Sequence, residues 1–294
     1  MEIQTQTWNV GELGFTVDTA GPEAGVPVLM LHGFPQNRHM WSHQLYALAA
    51  AGFHAIAPDQ RGYSRGARPS AIEAYTTDQL TRDALNLMDA CGAQRFHLVA
   101  HDWGGQLAWL IAAGHPDRVT SLTVLSRPHP AAFTQAMTED PEQANRSRHH
   151  KGFREPDAIA LLRQDNFKSL RKGLEHEGIV AADVDVYLRT LAEDGALESA
   201  INWYRANTLA SAIGPIAPPT LYIWGTADAS VGRRAAELTA PFVTVRIASS
   251  RLRAVGTLSL INSPTESRSF CLSSCAPPPS EYPLTGGFQP LRRR

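Results

Sequence analysis

Five short apolar runs recur along the chain: VPVLMLH at 26–32, FHAIAPD at 53–59, FHLVAH at 96–101, LTVLS at 122–126 and TLYIWG at 220–225. Runs this short and this apolar suit strands buried on both faces. Strands that alternate with helices build a mostly parallel sheet with helices on both faces. Helical segments are expected between them at 40–51, 77–91, 106–113 and 231–240. TWNV and FTVD, ahead of the first run, read as an antiparallel lead-in hairpin. Of the 294 residues, 43% are hydrophobic and 19% charged, enough apolar mass for one large core. The rhythm breaks at 128–217, which is polar, helix-prone and poor in strands. That stretch is expected to form a helical cap over the carboxyl ends of the strands, where parallel sheets bind ligands. The expected organisation is a core split into 1–127 and 218–245, the cap at 128–217, and an irregular tail at 246–294.

Charge and composition exclude several classes. A net charge of -1 gives no electrostatic case for nucleic acid or acidic lipid. MEIQTQTWNVGELGF at the start lacks a basic stretch followed by an apolar one, and no run reaches about 18 apolar residues. The expected location is cytoplasmic. Cys91, Cys271 and Cys275 supply neither a disulfide framework nor a zinc spacing, so no metal and no cofactor is expected.

The segment AHDWGGQLAW at 100–109 reads as strand, sharp turn and helix, with small residues around the turn. A nucleophile elbow has this layout, usually with serine at its centre. Here the centre is Asp102. Aspartate ordinarily titrates near ~3.9, so its carboxylate needs no base to activate it. It can attack an sp3 carbon and form an alkyl ester, a covalent intermediate. Two other segments reach the same sheet edge, HGFPQ at 32–36 and WGTADAS at 224–230. His32 and His101 read as residues that shape these loops.

HGFP at 32–35, DQRGYS at 59–64, HDWGG at 101–105 and NWYR at 202–205 follow one another as in the α/β-hydrolase-fold epoxide hydrolases. The chain resembles that family over about 8–244. The resemblance implies an α/β-hydrolase fold with a helical cap and Asp102 as the nucleophile that opens an epoxide. It implies Asp228 as the acid that orients a catalytic histidine. Backbone N–H groups of Phe34 and Trp103 become oxyanion donors, and the Trp103 ring packs against substrate. It makes Tyr204 a cap donor to the epoxide oxygen, a role worth about 10²–10⁴ in rate. A second cap tyrosine is usual just upstream of FREP at 153–156; this chain offers His149 or His150 there. The pair reads equally well as an exposed face of a charged helix. The implied partner is a small apolar epoxide, and a homodimer is compatible with the resemblance.

The family's base, a histidine on a loop after the last strand, has no counterpart. All eleven histidines lie at or before His176, and residues 246–294 contain no Asp, Lys or His. FVTVRIA at 242–248 reads as the last strand, but SSRLRAVGTLSL occupies the place of the histidine loop. The break points to a shifted reading frame near Val245. Alkylation of Asp102 is therefore expected to proceed while ester hydrolysis stalls. Two other readings stand beside this one. A haloalkane dehalogenase shares the aspartate and the tryptophan after it, but carries a second halide donor where this chain has Phe34. A catalytically dead hydrolase-fold protein would bind an apolar ligand without turning it over.

Overall fold

The computed structural model describes residues 2–208, 213–242, 250–252 and Cys275. Its eight-stranded sheet is built from β1 (Gln4–Val10), β2 (Leu13–Ala20), β3 (Pro27–Leu31), β4 (His54–Pro58), β5 (Phe96–His101), β6 (Val119–Leu125), β7 (Thr220–Gly225) and β8 (Ser250–Leu252). Their order across the sheet is β1-β2-β4-β3-β5-β6-β7-β8. The β1–β2 hairpin and the β2–β4 pair are antiparallel, and every pair from β4 to β8 is parallel. Every residue of β4 and of β5 is buried, as their uninterrupted apolar sequences require.

Helices α1 (Ser42–Ala50), α2 (Thr77–Ala90) and α3 (Trp103–Gly114) pack on this sheet. In α2 the buried Leu80, Ala84, Leu87 and Met88 recur at helical spacing. α3 is apolar on every side and almost wholly buried. It begins at Trp103, three residues earlier than the sequence pattern suggests. Paired glycines read as turn, since glycine weakens a helix interior. Here Gly104 is required, because any side chain would run into the Leu31 and His32 carbonyls.

Among the described residues between β6 and β7 lie six helices: α4 (Pro130–Glu139), α5 (Pro141–Arg146), α6 (His149–Gly152), α7 (Ala158–His176), α8 (Ala181–Ala192) and α9 (Ala196–Ala206). Proline opens α4 and α5, and the Asp140 side chain caps α5 by accepting from the Glu142 N–H at 2.9 Å. α7 is not continuous. Asp165, Asn166 and Phe167 have φ of 47°, 54° and 62°. Asp and Asn tolerate this left-handed region, and the buried Phe167 ring anchors the break. The insert is stitched to the core by Trp203 Nε1, which donates to the Arg61 carbonyl at 2.9 Å. Asn207 adds to the seam by accepting from the Thr77 N–H and donating to the Tyr75 carbonyl.

After β7, α10 (Arg233–Glu237) is half the length expected from 231–240. The strand expected over 242–248 is corrected in its described part: Phe242 closes a short 3-10 turn, Ala240–Phe242. The described strand is β8, inside the stretch read as irregular, paired from Ile223↔Ser250 to Gly225↔Leu252. Pairing there satisfies backbone groups along the edge of β7. The other readings of the tail, including the shifted frame near Val245 and Cys271, fall outside the described residues. Among the described residues, no helix is long and apolar enough to cross a membrane.

Two buried features make stability tests. Arg61 forks onto Asp83, Nε to Oδ2 at 2.6 Å and Nη2 to Oδ1 at 2.7 Å. Asp83→Ala leaves the guanidinium buried without its countercharge, and should cost about 3–5 kcal/mol in chemical denaturation. Gly104→Ala should cost about 1–3 kcal/mol by forcing α3 off the β3 carbonyls. Gly114, in the same helix, has open space where a Cβ would sit. Gly114→Ala should be neutral or stabilise by up to ~1 kcal/mol. Equal losses at both glycines would contradict the close approach.

Candidate active site

β3 and β5 are neighbours in parallel register, Leu31 opposite Ala100, so the loops that follow them leave the same edge side by side. The turn after β5 places Asp102 at φ 52° and ψ -120°, a conformation costly for a residue with a side chain. Gly33 makes room for it, since a Cβ at that position would overlap the Asp102 carboxylate. The Phe34 N–H donates to Asp102 Oδ1 at 2.9 Å. Trp103 is the first residue of α3, where N–H groups have no intrahelical acceptor.

Asp102 opens onto a cavity of about 280 Å³. From the core, Phe34, Ser126 and Asp228 line it; from the insert, His149, Glu177 and Tyr204 do. The cavity therefore brings together Phe34, Asp102, His149, Tyr204 and Asp228 of the side chains singled out in the sequence, while Trp103 and His150 do not line it. The Trp103 ring, expected against substrate, is buried behind the wall, edge-on to Tyr204 with centroids 5.1 Å apart. Phe34 and Phe153 also meet Tyr204 edge-on, at 5.7 and 4.9 Å, and give the cavity an apolar aromatic side.

Burial, and next the negative charge of Asp102, push the Tyr204 phenol well above its ordinary pKa. It stays protonated and able to donate. His149 lines the cavity; His150 is buried against it, with ring centroids 4.5 Å apart. Burial and the neighbouring His149 hold His150 down to about 2, so it is neutral. A carbonyl can only accept, so His149 Nδ1 carries the hydrogen it shares with the Arg146 carbonyl at 3.1 Å. The neutral ring then presents a lone pair at Nε2. Burial lowers the His149 pKa, and donation from Nε2 requires the imidazolium.

Asp228 sits in the loop after β7. Its Oδ2 accepts from the Ser126 hydroxyl at 2.7 Å, and its Oδ1 from the N–H groups of Ser230 and Val231 at 2.9 and 2.8 Å. The insert grips this loop. Arg146 donates to the Asp228 carbonyl at 2.6 Å, while Gln143 donates to the Ser230 carbonyl and accepts from the Gly232 N–H.

Both loop-shaping histidines are buried and depressed. His32, held to about 3 by burial, donates from Nδ1 to the Gly33 carbonyl and accepts the Gln60 N–H at Nε2. His101 is lowered by burial against the opposing pull of Asp102 and Asp228, and its Nδ1 is buried without a hydrogen-bond partner.

Three site residues escaped the sequence reading. Ser126 (φ 66°) and Arg127 follow β6 directly, so their place at the carboxyl end of a strand was a usable signal. Arg127 is buried, donates to Gln106 Oε1, and lies over the Phe133 ring at 4.1 Å. Burial lowers it to about 10, opposed by Asp102, so it remains a cation. Glu177 carried no signal, because a charged residue at a helix end is ordinary.

Residues 26–242 match the alpha/beta hydrolase fold family. The chain is 37% identical over 251 residues to epoxide hydrolase A of Mycobacterium tuberculosis, covering 70% of this chain and 77% of that protein. It is 32% identical over 245 residues to AB hydrolase superfamily protein YfhM of Bacillus subtilis, covering 81% and 86%. The crystal structure of Bacillus megaterium epoxide hydrolase in complex with an inhibitor superposes with a TM-score of 0.83 at 27% identity, covering 91% of this chain and 99% of that one. Order of motifs, sheet topology and similarity agree: the chain belongs to the α/β-hydrolase-fold epoxide hydrolase family.

Proposed function

We propose that the protein opens small epoxides by forming an alkyl ester on Asp102, and that hydrolysis of this ester is its slow step. One observation carries the reading: the Asp102 carboxylate and the Tyr204 phenol share a single apolar cavity. The Phe34 N–H occupies Asp102 Oδ1, which leaves Oδ2 to attack an epoxide carbon. The breaking C–O bond passes its electrons to the ring oxygen, and Tyr204 gives that oxygen a proton. Oδ1 then becomes the ester carbonyl oxygen, already on the donor that would hold it as an oxyanion. Trp103 N–H is the second donor in this scheme. Residues 128–217 act as the cap, the core stretches 1–127 and 218–245 as its base, and Asp228 as the acid beside the nucleophile. The cavity is small and aromatic-sided, which fits an epoxide of styrene oxide size. Within these 294 residues no histidine follows Asp228, which is the ground for making ester hydrolysis the slow step.

Incubation with styrene oxide should add the mass of one substrate molecule to the protein, with about one equivalent of epoxide consumed before the rate drops. Asp102→Ala should show no adduct. Halide release from a chlorinated alkane without an epoxide adduct would instead support the dehalogenase reading. Ligand binding unchanged by Asp102→Ala, with no adduct in the parent, would support a binding protein.

Tyr204→Phe should slow adduct formation by about 10²–10⁴-fold. Because the phenol is raised well above its ordinary pKa, the parent's alkylation rate should not fall between pH 7 and 9. A fall with a midpoint in that window would remove Tyr204 from the role. Any help from His149 acts in the opposite direction. Its imidazolium forms only below an already lowered pKa, so its contribution rises as pH drops.

A further inference from the structure

We propose that Glu177, at the carboxyl end of α7, is the general base that hydrolyses the Asp102 ester in this chain. The proposal rests on the epoxide hydrolase reading above and concerns a stretch of 294 residues in which no histidine follows Asp228. Glu177 caps the end of α7 and lines the same cavity as Asp102. It lies against the loop of Asp228, hydrogen-bonded to the Ala229 backbone. Asp228 and Arg146 are the charged groups that act on it most directly, and Asp102, His101, His149 and Tyr204 face the cavity with it. Burial, and then the charge of Asp228, push its carboxyl up to about 7 against the opposing pull of the Ala229 hydrogen bond and Arg146. At neutral pH a large share is ionised, and the ion is a stronger base than an ordinary glutamate.

The other titratable groups of the cavity fit the task less well. Both oxygens of Asp228 are already engaged, one by a hydroxyl and the other by two backbone N–H groups. His101 Nδ1 is buried without a partner. A buried lone pair costs less than a buried orphan N–H, so the hydrogen belongs on the other nitrogen and Nε2 cannot accept a proton. His149 keeps a lone pair at Nε2, but burial makes it a weaker base than usual. It also packs against Phe153 and Tyr204, on the wall that holds the donor phenol.

The steps balance. After ring opening Tyr204 is a phenolate and the ring oxygen a hydroxyl. Glu177 takes a proton from water as the water oxygen bonds the ester carbonyl carbon, whose π electrons move to Oδ1. Collapse of that oxyanion breaks the bond to the substrate oxygen, which takes the proton from Glu177 and leaves as the diol. Asp102 now holds the water oxygen as a carboxylic acid, and its proton returns Tyr204 to the phenol.

Diol release after the one-equivalent burst of styrene oxide consumption tests this. In the parent, the slow phase should rise with pH through a midpoint near 7 and then level, as the Glu177 carboxylate forms. Glu177→Gln should keep the adduct and the burst while slowing diol release by about 10²-fold or more. Diol release unchanged in Glu177→Gln overturns the proposal and points to His149. A slow phase flat from pH 5.5 to 8.5, or a parent adduct that never yields diol, also overturns it while leaving the Asp102 reading intact. If Glu177→Gln forms no adduct, the parent's pH profile decides. A parent without any adduct removes the epoxide hydrolase reading itself.

Discussion

A hydrogen bond between two loops, from the Phe34 N–H to Asp102 Oδ1 at 2.9 Å, is the contact around which this sheet edge is arranged. It forms only if β3 and β5 are adjacent, if Gly33 has no side chain, and if α3 approaches the end of β3 closely enough to require Gly104. It also needs Asp102 in a left-handed conformation that costs on the order of 1–3 kcal/mol. A short surface helix could not hold such a turn. α3 can, because its apolar faces are buried on every side and its position is fixed by the core rather than by the loop.

Around that carboxylate the groups on the insert's aromatic wall carry no charge. Tyr204 stays a phenol, and His149 and His150 are pushed towards neutrality by burial. Behind the cavity Arg127 is a buried cation bonded to the Gln106 amide oxygen rather than to a carboxylate. Asp102 raises the Arg127 pKa that burial lowers, so the two charges favour one another. Esterification in the proposed reaction would erase the negative member of this pair and leave the cation less well compensated. The ester is thereby raised in free energy relative to the carboxylate. Loss of that favourable pair on esterification favours return of the carboxylate.

The fold was legible because its strands are short, apolar and separated by helices, and β5 and β7 begin and end where their apolar runs do. The elbow was legible because its small residues are demanded by backbone contacts. Where the pattern misled, a tertiary constraint had overridden local preference. Gly104 lies inside a helix because two carbonyls press on it, and α7 is broken by three left-handed residues that no periodicity marks. The site was readable wherever a residue type is unusual at its position, as with Asp102 in the elbow. Glu177 was unreadable because its role depends on what folds against it, and nothing local distinguishes it from the other charges of α7.

The division of groups between core and insert has a mechanical consequence. In the proposed reaction Asp102 and the oxyanion donors belong to the core, whereas Tyr204, His149 and Glu177 ride on the insert. Ring opening and ester hydrolysis then both require the insert to be seated, and neither proceeds when it is displaced. The seat is specified by polar contacts around Asp228: Gln143 bonds both Ser230 and Gly232, and Arg146 bonds the Asp228 carbonyl. A base on a core loop would be indifferent to those contacts. A base at the end of α7 depends on them, because they set the distance between the insert and the one loop that carries the neighbouring acid. In such an arrangement the placement of the base is set by the interface that holds α5 and the end of α7 against the loop after β7.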